Sequence, residues 1–493
     1  MLVGALTLGC RHEEGGPSAL VADGSTGGRS SELEAGGGTG NRSTHAGGGG
    51  GAEGDEVRVV EWVVSTDPSR WEERPRPAVE ALVGISDQTV EVDETARAQE
   101  IDGFGACFNE LGWEAMSVLD PAARDDILRN LFDEATGCGF TMARMPIGAS
   151  DYAVGWYSLD DNPGDYAMAQ FSIERDRERL IPFIEAAMQY SPHLRVWGSP
   201  WSPPTWMKTN SDYAGGRLTQ DAQTLSAHAR YLEQYVRAYR AEGIDVYAVH
   251  VQNEPYASQV FPSCLWSPAE LRDYIRDYLG PHFAATQLDA EIWLGTLNIG
   301  DYETGAKVVL DDPAAAAYIA GVAYQWAGKD SIGDTHRDHP EMRLMQSETE
   351  CGDGSNDWAY AEYTWSLFRH YLENGANSYF QWNMVLDETG LSSWNWAQSA
   401  MITVDRQTAT VTYNPQFHLV KHISHYVRPG AYRLVNPGPY ADALIFENLD
   451  GSKVVVLANR TDSEQLVRVQ LGSRMAEVSL DPRSFSTLVT SDF

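Results

Sequence analysis

The sequence predicts an α/β fold, a (β/α)8 TIM barrel carrying a small side β-sandwich, and three observations predict it. Short apolar runs alternate with longer amphipathic stretches through the middle of the chain, and these runs number about eight over roughly 280 residues. A second series of short runs, separated by turns rather than helices, fills the C-terminus. At 493 residues the chain accommodates one large domain and a smaller one.

Taken in order, residues 1–10 are a short apolar run ending in Cys10. They read as a lipoprotein-type signal with Cys10 as the lipidated residue, although no basic segment precedes the run and Thr7 stands where a larger aliphatic residue is usual. Export to an extracellular or cell-surface location is the expectation. Residues 11–56 are rich in Gly and Ser, with the run Gly47 to Gly51, and bury too little surface to fold, so they read as a disordered linker. From Val57 the composition changes, and β-rich segments at 57–64 and 82–92 flank a Pro/Arg patch at 74–77. The whole of 57–99 is assigned to the sandwich.

The barrel is read over 100–426. Its strands are expected at 101–108, 141–147, 194–199, 246–252, 291–296, 319–326, 343–347 and 377–382. Helices are expected at 121–132, 173–189, 221–242, 268–279 and 359–373, and a helix at 415–426 closes the barrel. Residues 427–493 carry short strands at 432–435, 443–448, 453–459, 464–469 and 484–490, with turns such as Asp450-Gly451, and form the sandwich. No Gly-x-Gly-x-x-Gly follows the first strand, which argues against dinucleotide binding.

A net charge of −34 argues against nucleic acid, which needs a basic footprint, and against docking on an anionic membrane surface. A neutral carbohydrate or glycolipid headgroup suits such a surface better than a phosphorylated substrate. The membrane enters only through the anchor at Cys10. The other cysteines, Cys107, Cys138, Cys264 and Cys351, are scattered with no C-x-x-C pair, so no metal or redox motif is expected. His418, His422 and His425 recur at helical spacing without a carboxylate motif and read as packing residues, as do His336 and His339 in a charged segment. No cofactor is expected.

The chemistry-bearing strings gather at the C-terminal ends of the barrel strands, which form the active face of this fold. Strand two runs into Arg144-Met-Pro-Ile-Gly-Ala-Ser-Asp151, strand three into Ser199-Pro-Trp-Ser-Pro-Pro-Thr-Trp206 and strand four into Gln252-Asn-Glu-Pro255. Strand seven ends in Gln346-Ser-Glu-Thr-Glu350 and strand eight in Gln381-Trp-Asn383. Breaking a glycosidic bond needs two carboxyl groups flanking the anomeric carbon, and strands four and seven face each other across the barrel. Glu254 and Glu348 can therefore reach one sugar from two sides. Glu254 must hold a proton in the resting enzyme and Glu348 must stay ionised. Glu350 lies two residues beyond Glu348 and in an extended strand shares its face, so spacing alone leaves both open as nucleophile. Asn253 is a candidate for the sugar 2-hydroxyl, and Trp201, Trp326 and Trp382 are candidate walls or stacking platforms.

Together these strings resemble glycoside hydrolase family 30, the family of glucosylceramidases and endo-β-1,6-glucanases. The most specific matches are Asp102-Gly-Phe-Gly-Ala, Arg144-Met-Pro, Ser199-Pro-Trp-Ser-Pro-Pro-Thr-Trp-Met-Lys-Thr-Asn210, Asn253-Glu-Pro and Ser347-Glu. The resemblance runs from about residue 57 to the C-terminus. It implies a retaining mechanism without a metal, Glu254 as acid/base, and Glu348 rather than Glu350 as nucleophile. It also places Asp151, Trp201, Asn253 and Trp382 around the sugar. One segment departs from the glucosylceramidases of vertebrate type, which carry His-Trp-Tyr after strand six. Here it reads Tyr324-Gln-Trp-Ala-Gly-Lys-Asp330, as in the microbial branch associated with β-1,6-glucan. The expected substrate is therefore a β-glucan. Glucosylceramide hydrolysis, an inverting hydrolase, and a non-catalytic carbohydrate-binding surface protein on a hydrolase scaffold are the alternatives.

Overall fold

Eight parallel strands close into a barrel in the computed structural model, which describes residues 57–67, 71–82 and 84–491. The signal read at 1–10 and the linker read at 11–56 lie outside the described residues. The strands are β1 (Gly103–Cys107), β2 (Met142–Ile147), β3 (Arg195–Pro200), β4 (Val246–His250), β5 (Glu291–Leu297), β6 (Ile319–Gln325), β7 (Arg343–Glu348) and β8 (Ala376–Asn383). Each pairs with its neighbour in sequence, and β8 returns to β1. All eight apolar runs form strands, because a strand buried on both faces needs an unbroken apolar stretch.

The outer helices start where their caps dictate. Helix α1 (Pro121–Phe132) opens on Asp120, whose side chain accepts from the Ala123 N–H, with proline in its first turn. Asp221 caps α2 (Ala222–Ala241) and Asp357 caps α3 (Trp358–Glu373) in the same way. Two expected helices differ. The stretch 173–189 divides into a 3-10 turn, Asp176–Glu178, and a helix, Leu180–Met188. The break falls at Arg179, beside the fully buried Asp176, which accepts from the Tyr157 and Tyr239 hydroxyls at 2.5 Å each. The stretch 268–279 is helical only to Tyr274 and then widens into a π turn, Ile275–Leu279. A small sheet of Val385–Asp387, Ile402–Asp405 and Thr410–Tyr413 follows β8, in strands too short for periodicity to reveal.

The barrel interior is filled by pairing large side chains with missing ones. Trp197, His250 and Trp293, from three consecutive strands, lie nearly parallel, with centroids 3.9 and 5.4 Å apart. Gly321 makes room for Trp293: a Cβ there would lie 2.5 Å from its ring. Gly105 is tighter still, since a Cβ would lie 2.1 Å from the Met142 carbonyl oxygen, a backbone atom that cannot swing aside. Gly105→Ala is expected to cost about 3 kcal/mol, the upper end for overpacking, read as a lower urea midpoint of unfolding.

The sandwich draws on both ends of the chain. Val59–Thr66 pairs antiparallel with Ser484–Thr490, and Thr89–Glu100 pairs with Tyr432–Val435 on one side and Gln465–Leu471 on the other. The strand expected from residue 82 begins instead at Thr89, because residues 86–89 make a turn in which the Thr89 N–H donates to the Ser86 carbonyl. A strand missed in the sequence, Arg474–Leu480, forms a tight hairpin with Gln465–Leu471 through Gly472 at φ +60°. Helix α4 (Pro415–Ser424) locks barrel to sandwich. His422 shares hydrogen bonds with Thr487 and Ser65, one from each chain end, and His425 bonds the Gly137 carbonyl, so these histidines pack and bridge. Cys107, Cys138, Cys264 and Cys351 are buried free thiols, and no helix among the described residues is long and apolar enough to cross a membrane.

Candidate active site

One buried arginine organises the C-terminal face of the barrel. Arg144, on β2, is fully enclosed. Its Nη1 donates to Glu348 Oε2 at 2.6 Å and to the Ser347 carbonyl at 3.2 Å. Its Nη2 donates to Asn253 Oδ1 at 2.6 Å and Ser199 Oγ at 3.1 Å. The guanidinium carbon lies 4.5 Å from the Trp201 ring, 5.1 Å from Trp197 and 5.4 Å from Trp382, so aromatic faces complete its cage. A buried charge must be paired to be tolerated, and this one is paired with Glu348.

Glu254 follows β4 in the left-handed region at φ +45°, a conformation that costs energy for a residue with a Cβ. Its N–H donates to the Thr296 carbonyl at 3.2 Å, which anchors the turn. The carboxylate accepts from Gln325 Nε2 at 3.3 Å and from Gln259 Nε2 at 3.4 Å. Glu348 closes β7 and accepts from Gln325 Nε2 at 3.2 Å and Trp326 Nε1 at 3.4 Å, besides Arg144. Gln325 thus bridges the two glutamates. Its two contacts of 3.3 and 3.2 Å cap the separation of the bridged oxygens at about 6.5 Å, which accommodates the ~5–5.5 Å of a retaining pair.

The two carboxyls differ in electrostatics. Burial, reinforced by the Glu348 charge, pushes Glu254 up to about 7. Burial also raises Glu348, but Arg144 opposes the rise through both its charge and its hydrogen bond. Asp151, in the loop after β2, is raised well above the carboxylate range by burial and by the charge of Glu348. Burial raises all three carboxyls, and of the three it is Glu348 that hydrogen-bonds the Arg144 guanidinium, which opposes its rise.

Glu350 does not share the site. The extended geometry that would place it beside Glu348 ends with β7, and the Thr349 N–H donates instead to the Phe380 carbonyl. Glu350 turns outward to Lys329 Nζ at 2.8 Å and the Tyr363 hydroxyl at 2.6 Å.

The aromatic residues divide into two groups. Trp201 and Trp382 stack on each other at 5.4 Å and are each only 2% exposed, so they are walls around Arg144 rather than open platforms. Trp326, at φ +50°, is half-buried and begins an arc not read from the sequence. Its ring lies 6.2 Å from Trp396, which lies 5.4 Å from Trp394, which stacks at 5.5 Å on Phe261. The signal available was Trp394-Asn-Trp396 in an otherwise small and polar loop. Arg144 and Gln325 were also given no role: each sits in an apolar strand run, where a polar residue marks a lumen-facing function. The sequence-predicted residues Asp151, Trp201, Asn253, Glu254, Trp326, Glu348 and Trp382 all lie at this face of the barrel.

Similarity to known proteins agrees with this architecture. Residues 101–427 match the family model described as "Glycosyl hydrolase family 30 TIM-barrel domain", and 442–488 match "Glycosyl hydrolase family 30 beta sandwich domain". The lysosomal acid glucosylceramidase of Mus musculus is 28% identical over 400 residues, covering 74% of this chain and 76% of that one. An endo-1,6-beta-D-glucanase of Neurospora crassa is 28% identical over 409 residues, covering 78% and 84%. The crystal structure of SrfJ from Salmonella typhimurium superposes with a TM-score of 0.81 at 28% identity, covering 88% of this chain and all of that one. Barrel, sandwich and both domain matches therefore make the chain a member of glycosyl hydrolase family 30, a glycoside hydrolase.

Proposed function

We propose that Glu348 is the nucleophile and Glu254 the general acid/base of a double displacement on β-glucosidic bonds, and that the natural substrate is a β-glucan with 1,6 linkages. The observation that carries the pair is the shared Gln325 amide between two buried carboxyls, of which Glu348 also accepts from Arg144. In the first step Glu348 attacks C1 while Glu254 gives its proton to the leaving oxygen; in the second, Glu254 takes a proton from the attacking water. Asn253 Oδ1 is taken by Arg144, Thr296 and Gln325, which leaves its Nδ2 for the sugar 2-hydroxyl. Asp151 lines the same pocket as a hydrogen-bonding partner of the sugar.

Three features favour a glucan. The arc Phe261–Trp394–Trp396–Trp326 supplies aromatic surface beyond one sugar, the 324–330 segment has the form associated with β-1,6-glucan cleavage, and one relative is named an endo-1,6-beta-D-glucanase. Glucosylceramide is the second reading, favoured by the exposed Val154, Trp156, Val260 and Leu391 on loops of this face, which would meet a lipid tail. An extracellular or cell-surface location with Cys10 as lipid anchor accords with a polymeric substrate outside the cell.

Screening pustulan, gentiobiose, laminarin, cellobiose and glucosylceramide for released sugar, with the anomer followed by NMR, tests the reading. Fastest release from pustulan with β product formed first is expected. Release only from glucosylceramide would overturn the glucan assignment, and α product would overturn the double displacement.

A further inference from the structure

Gln325 has a geometry that the two-step scheme puts to use. It is fully buried at the end of β6, and its Oε1 accepts from Ser347 Oγ at 2.9 Å and from Arg144 Nη1 at 3.4 Å. Those donors fix the orientation of the amide, so its NH2 must face the other way. There Nε2 meets three acceptors: Glu348 Oε2 at 3.2 Å, Glu254 Oε1 at 3.3 Å and Asn253 Oδ1 at 3.3 Å. An amide nitrogen carries two hydrogens, so three acceptors compete for two donors. The allocation must follow the negative charge, because hydrogen bonds to ionised acceptors are about twice as strong as neutral ones.

The charge changes place during turnover. When the bond from Glu348 to C1 forms and the bond from C1 to the leaving oxygen breaks, that oxygen takes the Glu254 proton. Glu348 becomes a neutral ester and Glu254 an anion. When water then bonds to C1, its proton passes to Glu254, the ester bond breaks and Glu348 recovers its charge. We propose that Gln325 is a positioning residue whose amide N–H passes from the nucleophile to the acid/base as the glycosyl-enzyme forms, holding Glu254 ionised and oriented for the second step. This rests on the assignment of Glu254 and Glu348 as the catalytic pair.

Among the described residues, no other side chain donates a hydrogen bond to both glutamates. Arg144 from β2 donates to Glu348, Asn253, Ser199, the Ser347 carbonyl and Gln325 Oε1. Trp326 from the start of the loop after β6 donates to Glu348 alone, and Gln259 from the loop after β4 donates to Glu254 alone. Asp151 is a further acid, and the Cys107 and Cys351 thiols are held neutral by burial.

The test separates the two steps with an activated 2-deoxy-2-fluoro-β-glucoside, which inactivates by forming the intermediate and reactivates by hydrolysing it. Gln325→Met is close in length and removes the donors without adding an acid; Gln325→Leu removes the polar end with a shorter side chain. Both variants are expected to slow reactivation at least roughly tenfold more than inactivation, the scale of one hydrogen bond to a charge. The pH of half-maximal reactivation is expected to move upward, since Glu254 ionises less readily without the donor. Equal slowing of both steps with an unmoved reactivation profile would reduce Gln325 to a packing role and overturn the proposal. A label mapped to a residue other than Glu348 would overturn the pair itself, and the proposal with it. If Gln325→Leu fails to fold, Gln325→Met decides.

Discussion

Glu348→Gln is expected to lower kcat roughly 10⁴-fold or more, about 5.5 kcal/mol of transition-state stabilisation, whatever the leaving group. The amide is no nucleophile, and the first step is common to every substrate. The exchange is isosteric, and its amide oxygen still accepts from Arg144, so the melting temperature should move far less than the rate. Glu350→Gln is the control. Its carboxylate pairs with Lys329 and Tyr363 outside the glutamate pair, and a partly exposed ion pair contributes at most about 1 kcal/mol, so near-normal kcat is expected. Steady-state kinetics on an aryl glucoside decides, and an inactive Glu350→Gln beside an active Glu348→Gln would reverse the assignment.

Glu254→Gln should show a different signature. For sugar leaving groups, which need a proton, kcat/KM is expected to fall roughly 10²–10⁴-fold, while a dinitrophenolate, which leaves unaided, should show a much smaller loss in the first step. The pH profile carries the same information. Glu254 has its carboxyl raised to about 7 and must be protonated to act, so wild-type kcat/KM should be sustained below that value and fall as pH rises through it. On the acid side activity falls as Glu348 takes up a proton, and the two limbs report the coupled pair rather than single residues. Glu254→Gln should abolish the alkaline limb with dinitrophenyl glucoside. A limb that persists near 7 in that variant would assign it to another group, with Asp151 the first to examine.

The barrel was legible because its strands are buried on both faces and read as continuous apolar runs, and because aspartates and prolines mark the helix starts. The failures have local causes. The 173–189 stretch has helical periodicity, yet Asp176 is drawn into the interior by Tyr157 and Tyr239 and the helix breaks beside it. The hairpin at Gly472 is hard to read because Arg474, Glu477 and Ser479 interrupt the apolar run, although Ala476, Val478 and Leu480 of the same strand enter the sandwich core.

At the site, the sequence by itself determined which residues stand at strand ends: Glu254 after β4, Glu348 at the end of β7, and the tryptophans of β3, β6 and β8 in or just beyond their strands. Periodicity reaches that far because strand and helix repeats are local. It left Glu350 open beside Glu348, since alternation holds only while a strand continues, and only the structure shows the chain turning Glu350 onto Lys329. The roles of Arg144 and Gln325 were likewise decided in three dimensions. Each bonds residues from strands far apart in sequence, Gln325 reaching back from β6 to Glu254 and forward to Glu348. Hydrogen bonds across a barrel lumen depend on which side chains closure brings together, and no sequence spacing encodes that.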